Sequence, residues 1–404
     1  MPLHLLRLLG LTMAVLTLYT AVAVAAEAWP VENLLQKRLI EQEAIIATDA
    51  QNVESLLVLA QTHERLGHWS KALDYYRQIR QVDAGHAPAR RGTERLEKIL
   101  RPRLSAQWSY WVDEEYAPQL KTKDYRREET LYQLGAEKQF GKDRLFQLEW
   151  RKGAVEQTSE IYQDTDFSVK YFGPTLYLGL PLSSRFSLRG KLEYTRYHKD
   201  EAGTFYPLQE EKDLLTGSAS LTYAGQGYWL ASSLLRYRDF RLNFDETATE
   251  EPGELQLVAQ TVYGLDAGTQ IGKGWNLSGG VLYEDSRTLD PDQFRLRSRL
   301  SYTPGSIGHL QFFGRGEYYF EEEKTLVGGG VSYLLTLFKR IDTALSYQLL
   351  YNDPENSWLH QATLDMKWHL TSTIAWTVAA HAGQEIGDDE DQYYLLTSGL
   401  NIRF

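Results

Sequence analysis

The sequence predicts a transmembrane antiparallel β-barrel of about sixteen strands preceded by a small all-α domain, and three observations carry that reading. Beyond Pro102 the apolar residues stop recurring at helical spacing and begin to alternate, as in Leu104, Ala106, Trp108, Tyr110 and Val112. The positions between later apolar residues hold charges that a soluble sandwich would not bury, such as Arg189, Lys191 and Glu193, or Arg295, Arg297 and Arg299. The chain ends on Tyr394, Leu396, Ser398, Leu400, Ile402 and a terminal Phe404.

Composition removes several other classes. The 404 residues suffice for two or three domains. Mean hydropathy is −0.43, and only the first 26 residues hold an apolar run near spanning length, so a helical integral membrane protein is excluded. With 12% aromatic and 43% hydrophobic residues the chain is not disordered. It has no cysteine, which excludes disulfides, thiolate metal sites and a cysteine nucleophile.

Residues 1–26 read as a secretory signal peptide: His4 and Arg7, an apolar stretch from Leu8 to Val24, then small residues up to Ala25 and Ala26. Residues 27–100 read as a helical segment, with Leu34, Leu35, Leu39, Ile40, Ala44 and Ile45 at helical spacing. Between 53 and 86 the order of Leu56, Leu59, Ala60, Leu66, Gly67, Trp69, Ala72, Tyr76 and Ile79 resembles one tetratricopeptide repeat. That resemblance gives Leu59, Ala60, Gly67, Trp69, Ala72 and Tyr76 as motif positions: small residues admit a second helix, Gly67 serves the turn and Tyr76 fills the groove. Residues 31–100 carry ten acidic and ten basic side chains, so the net charge of −11 lies elsewhere.

Residues 101–404 read as the barrel. Tight links recur at 141–143, 182–184, 225–227, 272–274, 304–308, 337–339 and 371–373, with longer loops such as 198–213 and 239–254 between them. Short turns alternating with long loops are the habit of outer-membrane barrels, and seven short turns with eight loops give sixteen strands. Aromatic residues gather at strand ends: Trp150, Tyr194, Trp229, Tyr237, Trp275, Tyr283, Tyr302, Tyr318, Tyr347, Trp368 and Tyr394. The loops are acidic, as in Asp245, Glu246, Glu250 and Glu251, while the turns carry Lys142, Arg144, Arg185, Lys273 and Arg340. The acidic end is therefore expected to face outward, against lipopolysaccharide bridged by divalent cations, and it disfavours nucleic acid as a partner.

By alternation the expected pore-lining residues are Arg189, Lys191, Glu193, Arg236, Arg295, Arg297, Arg299, Arg315, Glu317, Asp365 and Lys367. Their balanced signs predict little ion selectivity. The run Arg295, Arg297, Arg299 reads either as a basic ladder guiding an anionic or hydroxyl-rich polymer, or as arginines paired across strands with acids such as Glu317. Three rim histidines, His198 near Asp200, His360, and His381 near Glu385, lack any nucleophile-base motif. Neither an enzyme nor a cofactor or metal site is expected.

A signal peptide, tetratricopeptide-like helices and a C-terminal barrel of about sixteen strands together resemble the outer-membrane secretion porins for exopolysaccharides such as cellulose and poly-N-acetylglucosamine. The chain departs from them in having one or two repeats where they carry a long superhelix. The same domain order resembles the surface lipoprotein assembly modifiers, whose barrels have fewer strands. The resemblance implies an outer-membrane export channel with its helices in the periplasm. It implies lipid, lipopolysaccharide, the barrel assembly machinery reading Phe404, and a periplasmic or inner-membrane secretion component as partners.

Overall fold

In the computed structural model residues 30–404 are described, apart from 118–121, 142–143, 159–165, 184, 200–210, 226, 244–253, 286–292, 305–309, 339, 354 and 388–389. The expected signal peptide and Asp200 lie outside the described residues. Four helices come first: α1 (Pro30–Thr48), α2 (Val53–Arg65), α3 (Trp69–Val82) and α4 (Ala87–Leu100). The Asn52 side chain caps α2 by accepting from the Ser55 backbone N–H at 3.0 Å. Gly67, at φ +77°, turns the chain out of α2, a conformation in which a β-carbon would be strained. Leu56, Ala60, Ala72, Tyr76, Ile79 and Leu96 form the core of this segment. The Tyr76 ring lies against Gly92, where any β-carbon would come within 2.5 Å of it.

Sixteen antiparallel strands follow in chain order and close on themselves: β1 (Arg103–Ala117), β2 (Thr122–Gln139), β3 (Leu145–Thr158), β4 (Phe167–Pro181), β5 (Phe186–Lys199), β6 (Lys212–Ala224), β7 (Tyr228–Asn243), β8 (Glu254–Gly272), β9 (Trp275–Asp285), β10 (Gln293–Tyr302), β11 (Leu310–Tyr319), β12 (Lys324–Leu337), β13 (Ile341–Asp353), β14 (Ser357–His369), β15 (Ile374–Ile386) and β16 (Glu390–Arg403). Closure runs from Arg103 opposite Arg403 to Tyr116 opposite Glu390. Each of the seven tight links expected from the sequence joins two neighbouring strands, but the eight connections at the other end are not all long: β11–β12, β13–β14 and β15–β16 are joined there by only three or four residues. With an even strand number, the start of β1 and the end of β16 share the end of the barrel that holds those seven links.

The helices meet this turn end. Ser70 donates to the Phe140 carbonyl at 2.8 Å, Lys138 donates to the Leu100 carbonyl at 2.7 Å, and a β-carbon on Gly141 would approach the Gly67 carbonyl oxygen to 2.7 Å. A cleft of about 490 Å³ lies between α3, α4 and the β2–β3 turn, lined by Asp74, Arg77, Glu97 and Phe140 among others.

Burial in the barrel is inverted relative to a soluble protein. Leu134 is 64% exposed, whereas Arg151 and Glu193 are 7% and 8% exposed. Large apolar side chains that alternate with buried charges belong in lipid, since a closed barrel satisfies its backbone without an edge. Aromatic side chains mark two outer levels. Trp275 with Tyr302 (4.6 Å between rings) and Trp368 with Trp376 (6.3 Å) stand near the turn end. Tyr283 with Phe294 (4.8 Å) and Tyr351 with Trp358 (5.1 Å) stand near the loop end. Trp358 and Trp368 are ten residues apart on β14; at about 3.4 Å per residue and a tilt of about 40°, that spans roughly 26 Å, the height of a barrel's apolar band. Two aromatics of the expected girdle lie elsewhere. Trp229 packs over Gly268 on the inner face, and Tyr237 hydrogen-bonds Gln260 and the inward Glu284.

Candidate functional site

The candidate site is the lumen, and strand register decides which side chains reach it. Arg151, which bonds Thr195 at 2.8 Å and Glu193, fixes the inner face of β3 and β5. From there the register carries one parity around the whole ring. Thr175 opposes Glu193 and Tyr177 opposes Lys191; Arg297 opposes Gly280 and Glu317; Ala344 opposes Asp365. Ten of the eleven side chains expected in the lumen thus lie on the inner face. Arg236 does not: it is opposite Gly217, on the outer face that Leu215 and Leu221 share. Its reading as pore-lining is corrected for a physical reason. Leu234 and Leu235 are both apolar, so β7 carries no alternation there that could set its phase.

The inner charges form pairs. Arg297 makes a bidentate bond to Asp266 at 2.9 and 2.6 Å, Arg295 bonds Glu284, and Arg315 bonds Glu317 at 2.7 Å along its own strand. Arg299 places its guanidinium 4.3 Å from the centre of the Phe313 ring. The arginine run is therefore largely a cross-strand ion-pair network, although Arg297 takes its acid from β8 and not from Glu317 opposite it. Lys191 bonds Glu193 at 2.7 Å, completing a triad with Arg151. In the turn-side half of β12–β15 the lumen opens into a cavity of about 590 Å³, lined by Leu334, Thr336, Asp342, Ala344, Asp365 and Lys367 among others.

The loop-side half is different, because the β7–β8 hairpin enters it. β6 pairs with β7 only from Ala224 opposite Trp229 to Gly217 opposite Arg236. β5–β6 pairing continues to Tyr197 opposite Lys212, and β7–β8 pairing to Asn243 opposite Glu254. Above the point of separation Arg238 continues the outer face of Leu234 and Arg236. Yet its guanidinium lies 4.6 Å from the Tyr171 ring centre and 6.0 Å from that of Tyr197, and reaches Glu129 at 2.5 Å, all on the inner wall. Leu257, on the same hairpin face, is buried in a cluster with Val155, Phe167, Val169, Tyr171 and Leu214. An outer-face residue can meet the inner wall only if the hairpin has crossed into the lumen. From the hairpin's other face Tyr237 bonds Glu284 of β9, so the hairpin is held between two walls.

Sequence reasoning missed Arg238, Glu129, Tyr171 and Tyr197. The available signal was the apolar side chains at inner parity, Val155, Val169 and Leu214, which a water-filled lumen would not favour. The rim histidines are not brought together. His198 bonds Glu211 at 2.8 Å and His360 bonds the Tyr347 hydroxyl at 2.8 Å, both on the outer face, while His381 stands 3.6 Å from Asp365 inside. Leu59, Ala60, Ala72 and Tyr76 are buried in the helical core, Trp69 packs on its edge and Gly67 makes the turn. In that segment the His63 and His68 Nδ1 atoms are 3.3 Å apart and His63 stacks on Tyr75. Burial, with His68 and Lys71 nearby, lowers the His63 pKa to about 4, and burial lowers that of His68 too. Phe404 is 62% exposed beside the turn-side rim, its N–H donating to the Pro102 carbonyl at 3.2 Å.

An apolar exterior around an ion-paired interior, closed by sixteen strands, defines a membrane-spanning barrel of the outer-membrane type. No family model and no curated protein matches the chain. Among solved structures, a bacterial polysaccharide outer membrane secretin aligns at 10% identity over 74% of this chain and 98% of its own, with a TM-score of 0.45. A TodX monoaromatic hydrocarbon channel variant aligns at 8% over 75% and 90% (TM-score 0.41), and Pseudomonas putida OprB at 12% over 78% and 95% (TM-score 0.33). Similarities this loose assign no family.

Proposed function

We propose that the protein is an outer-membrane channel that exports a polymer, most simply an exopolysaccharide, and that its helices stand at the periplasmic mouth where a secretion partner docks. The observation that carries this reading is the join between the two parts. The helices are tied by Ser70 and Lys138, with Gly141 packed close to Gly67, to the end of the barrel where the chain enters β1 and leaves β16. The three longest connections, β3–β4, β5–β6 and β7–β8, all lie at the opposite end, and in such barrels the end with the shorter connections faces the periplasm. A sixteen-strand wall is wide enough for an aqueous path, and its ion-paired lining offers hydrogen bonds to a hydroxylated chain without trapping it on net charge. Sixteen strands favour an export porin over a lipoprotein assembly modifier. The tetratricopeptide-like hairpin, the leader at 1–26 and Phe404 as the assembly signal belong to the same reading, as does the absence of catalysis.

Reconstitution of the full chain in planar bilayers tests it. The expected result is ion conductance that is blocked by oligosaccharides added on the helical side. A folded, inserted barrel that never conducts, even when the lumen hairpin is released, overturns the channel.

A further inference from the structure

The β7–β8 hairpin has a second place to go, and the existing register specifies it. Above Gly217 and Arg236, the edge of β6 from Lys212 to Thr216 has no strand partner on its β7 side among the described residues. Continuing that register one residue at a time would set Thr216 opposite Tyr237, Leu215 opposite Arg238 and Lys212 opposite Arg241, five further pairs. In that arrangement the hairpin rejoins the wall, the seam between β6 and β7 closes and the lumen clears. The seam parts at a residue suited to bending. Gly217 has φ +153°, and a β-carbon there would lie 2.1 Å from the Lys191 carbonyl oxygen, so the crowded bend admits only glycine.

We propose that the β7–β8 hairpin is a latch that closes the barrel at its loop-side mouth, held by Arg238 and released by pairing with β6. Arg238 is the fastening because it bonds Glu129 and lies over the rings of Tyr171 and Tyr197, joining the hairpin to β2, β4 and β5 at once. When the hairpin swings out, Arg238 turns to the outer face level with Leu215, next to Tyr194 at the membrane boundary, where headgroup phosphates replace Glu129 as its anion. An element with two paired arrangements, each giving the same arginine an anionic partner, can be biased by whatever arrives in the lumen. The consequence for transport rests on the channel reading; the movement itself does not.

Because the chain lacks cysteine, a single engineered pair reports the swing. Lys212→Cys with Arg241→Cys lie five residues beyond the last observed β6–β7 pair, are opposed only in the released arrangement, and leave both Arg238 and Tyr237 intact. In the full-length protein in lipid vesicles, the expected result is slow disulfide formation that becomes at least five-fold faster when Arg238→Ala is added. Arg238→Lys, which keeps a cation over the two rings and facing Glu129, should keep the rate slow, separating loss of the latch from misfolding. In planar bilayers the oxidised pair should raise conductance, and reduction should reverse it. A pair that never cross-links in the folded barrel, or a rate indifferent to Arg238→Ala, overturns the latch. Cross-linking without any conductance leaves the latch standing and overturns the channel reading instead.

Discussion

The helical segment and the barrel use the same residue types in opposite places. In the helices Leu56 and Leu59 are fully buried, and the Arg95 side chain is 55% exposed while bonding Glu64 at 2.6 Å. In the barrel Leu345 is 45% exposed, and the Arg151 side chain, paired with Glu193, is 8% exposed. The difference teaches that burial reports the solvent as well as the fold. One part is stabilised by taking leucine out of water, the other by leaving leucine in lipid and pairing inward ions such as Arg151 with Glu193 and Arg297 with Asp266.

Substitutions at matched positions break this comparison most directly. Glu193→Leu removes the acid from Arg151 and Lys191 inside the wall, and stranding a buried cation costs about 3–5 kcal/mol. Urea unfolding in lipid vesicles would read that loss; an unchanged midpoint would mean that lumen water supports the charge. Leu59→Ala in the helical core should cost about 2–5 kcal/mol, visible as faster amide exchange confined to residues 53–100. The same truncation at Leu345 should be nearly silent. Leu345→Arg is the sharper test. Its neighbour Leu364 lies midway between Trp358 and Trp368, so the charge falls at mid-membrane and should cost about 2–4 kcal/mol in vesicle unfolding.

How much of this was legible in the sequence follows from what alternation can encode. Within a strand such as Phe186–Lys199 the polar residues Arg189, Lys191 and Glu193 stand strictly two apart, and the lumen face reads directly. Turns marked by glycine, such as 225–227 and 272–274, are legible for the same reason, whereas the equally short reversals at 320–323, 354–356 and 387–389 sit among acidic residues that read as longer loops. Pairing across strands is not written locally. Arg297 finds Asp266 because the β8–β9 turn sets the offset between them, and nothing at 297 itself says so. In the run Leu234-Leu235-Arg236-Tyr237-Arg238 both parities are mixed, because these residues serve a wall below and a lumen hairpin above. One strand with two environments has no single period, and that is why alternation puts Arg236 and Tyr237 on the wrong face and does not reveal Arg238.

A smaller effect separates the two regions by pH. His63 sits in the helical core beside His68 with a pKa of about 4, against 6.5 for the ordinary side chain. A depressed histidine pKa means the folded segment binds the proton less well than the unfolded chain. Its contribution to stability is therefore complete above about pH 6.5, declines as pH falls from there towards 4, and is constant below. The helices should accordingly loosen between pH 6.5 and 4, seen as rising amide exchange in residues 53–82 once corrected for the intrinsic pH dependence. His63→Gln should flatten that slope, because the largest cause of the shift, burial of the imidazolium, leaves with the ring. A slope unchanged in the variant would assign the loosening to His68, whose pKa burial also lowers.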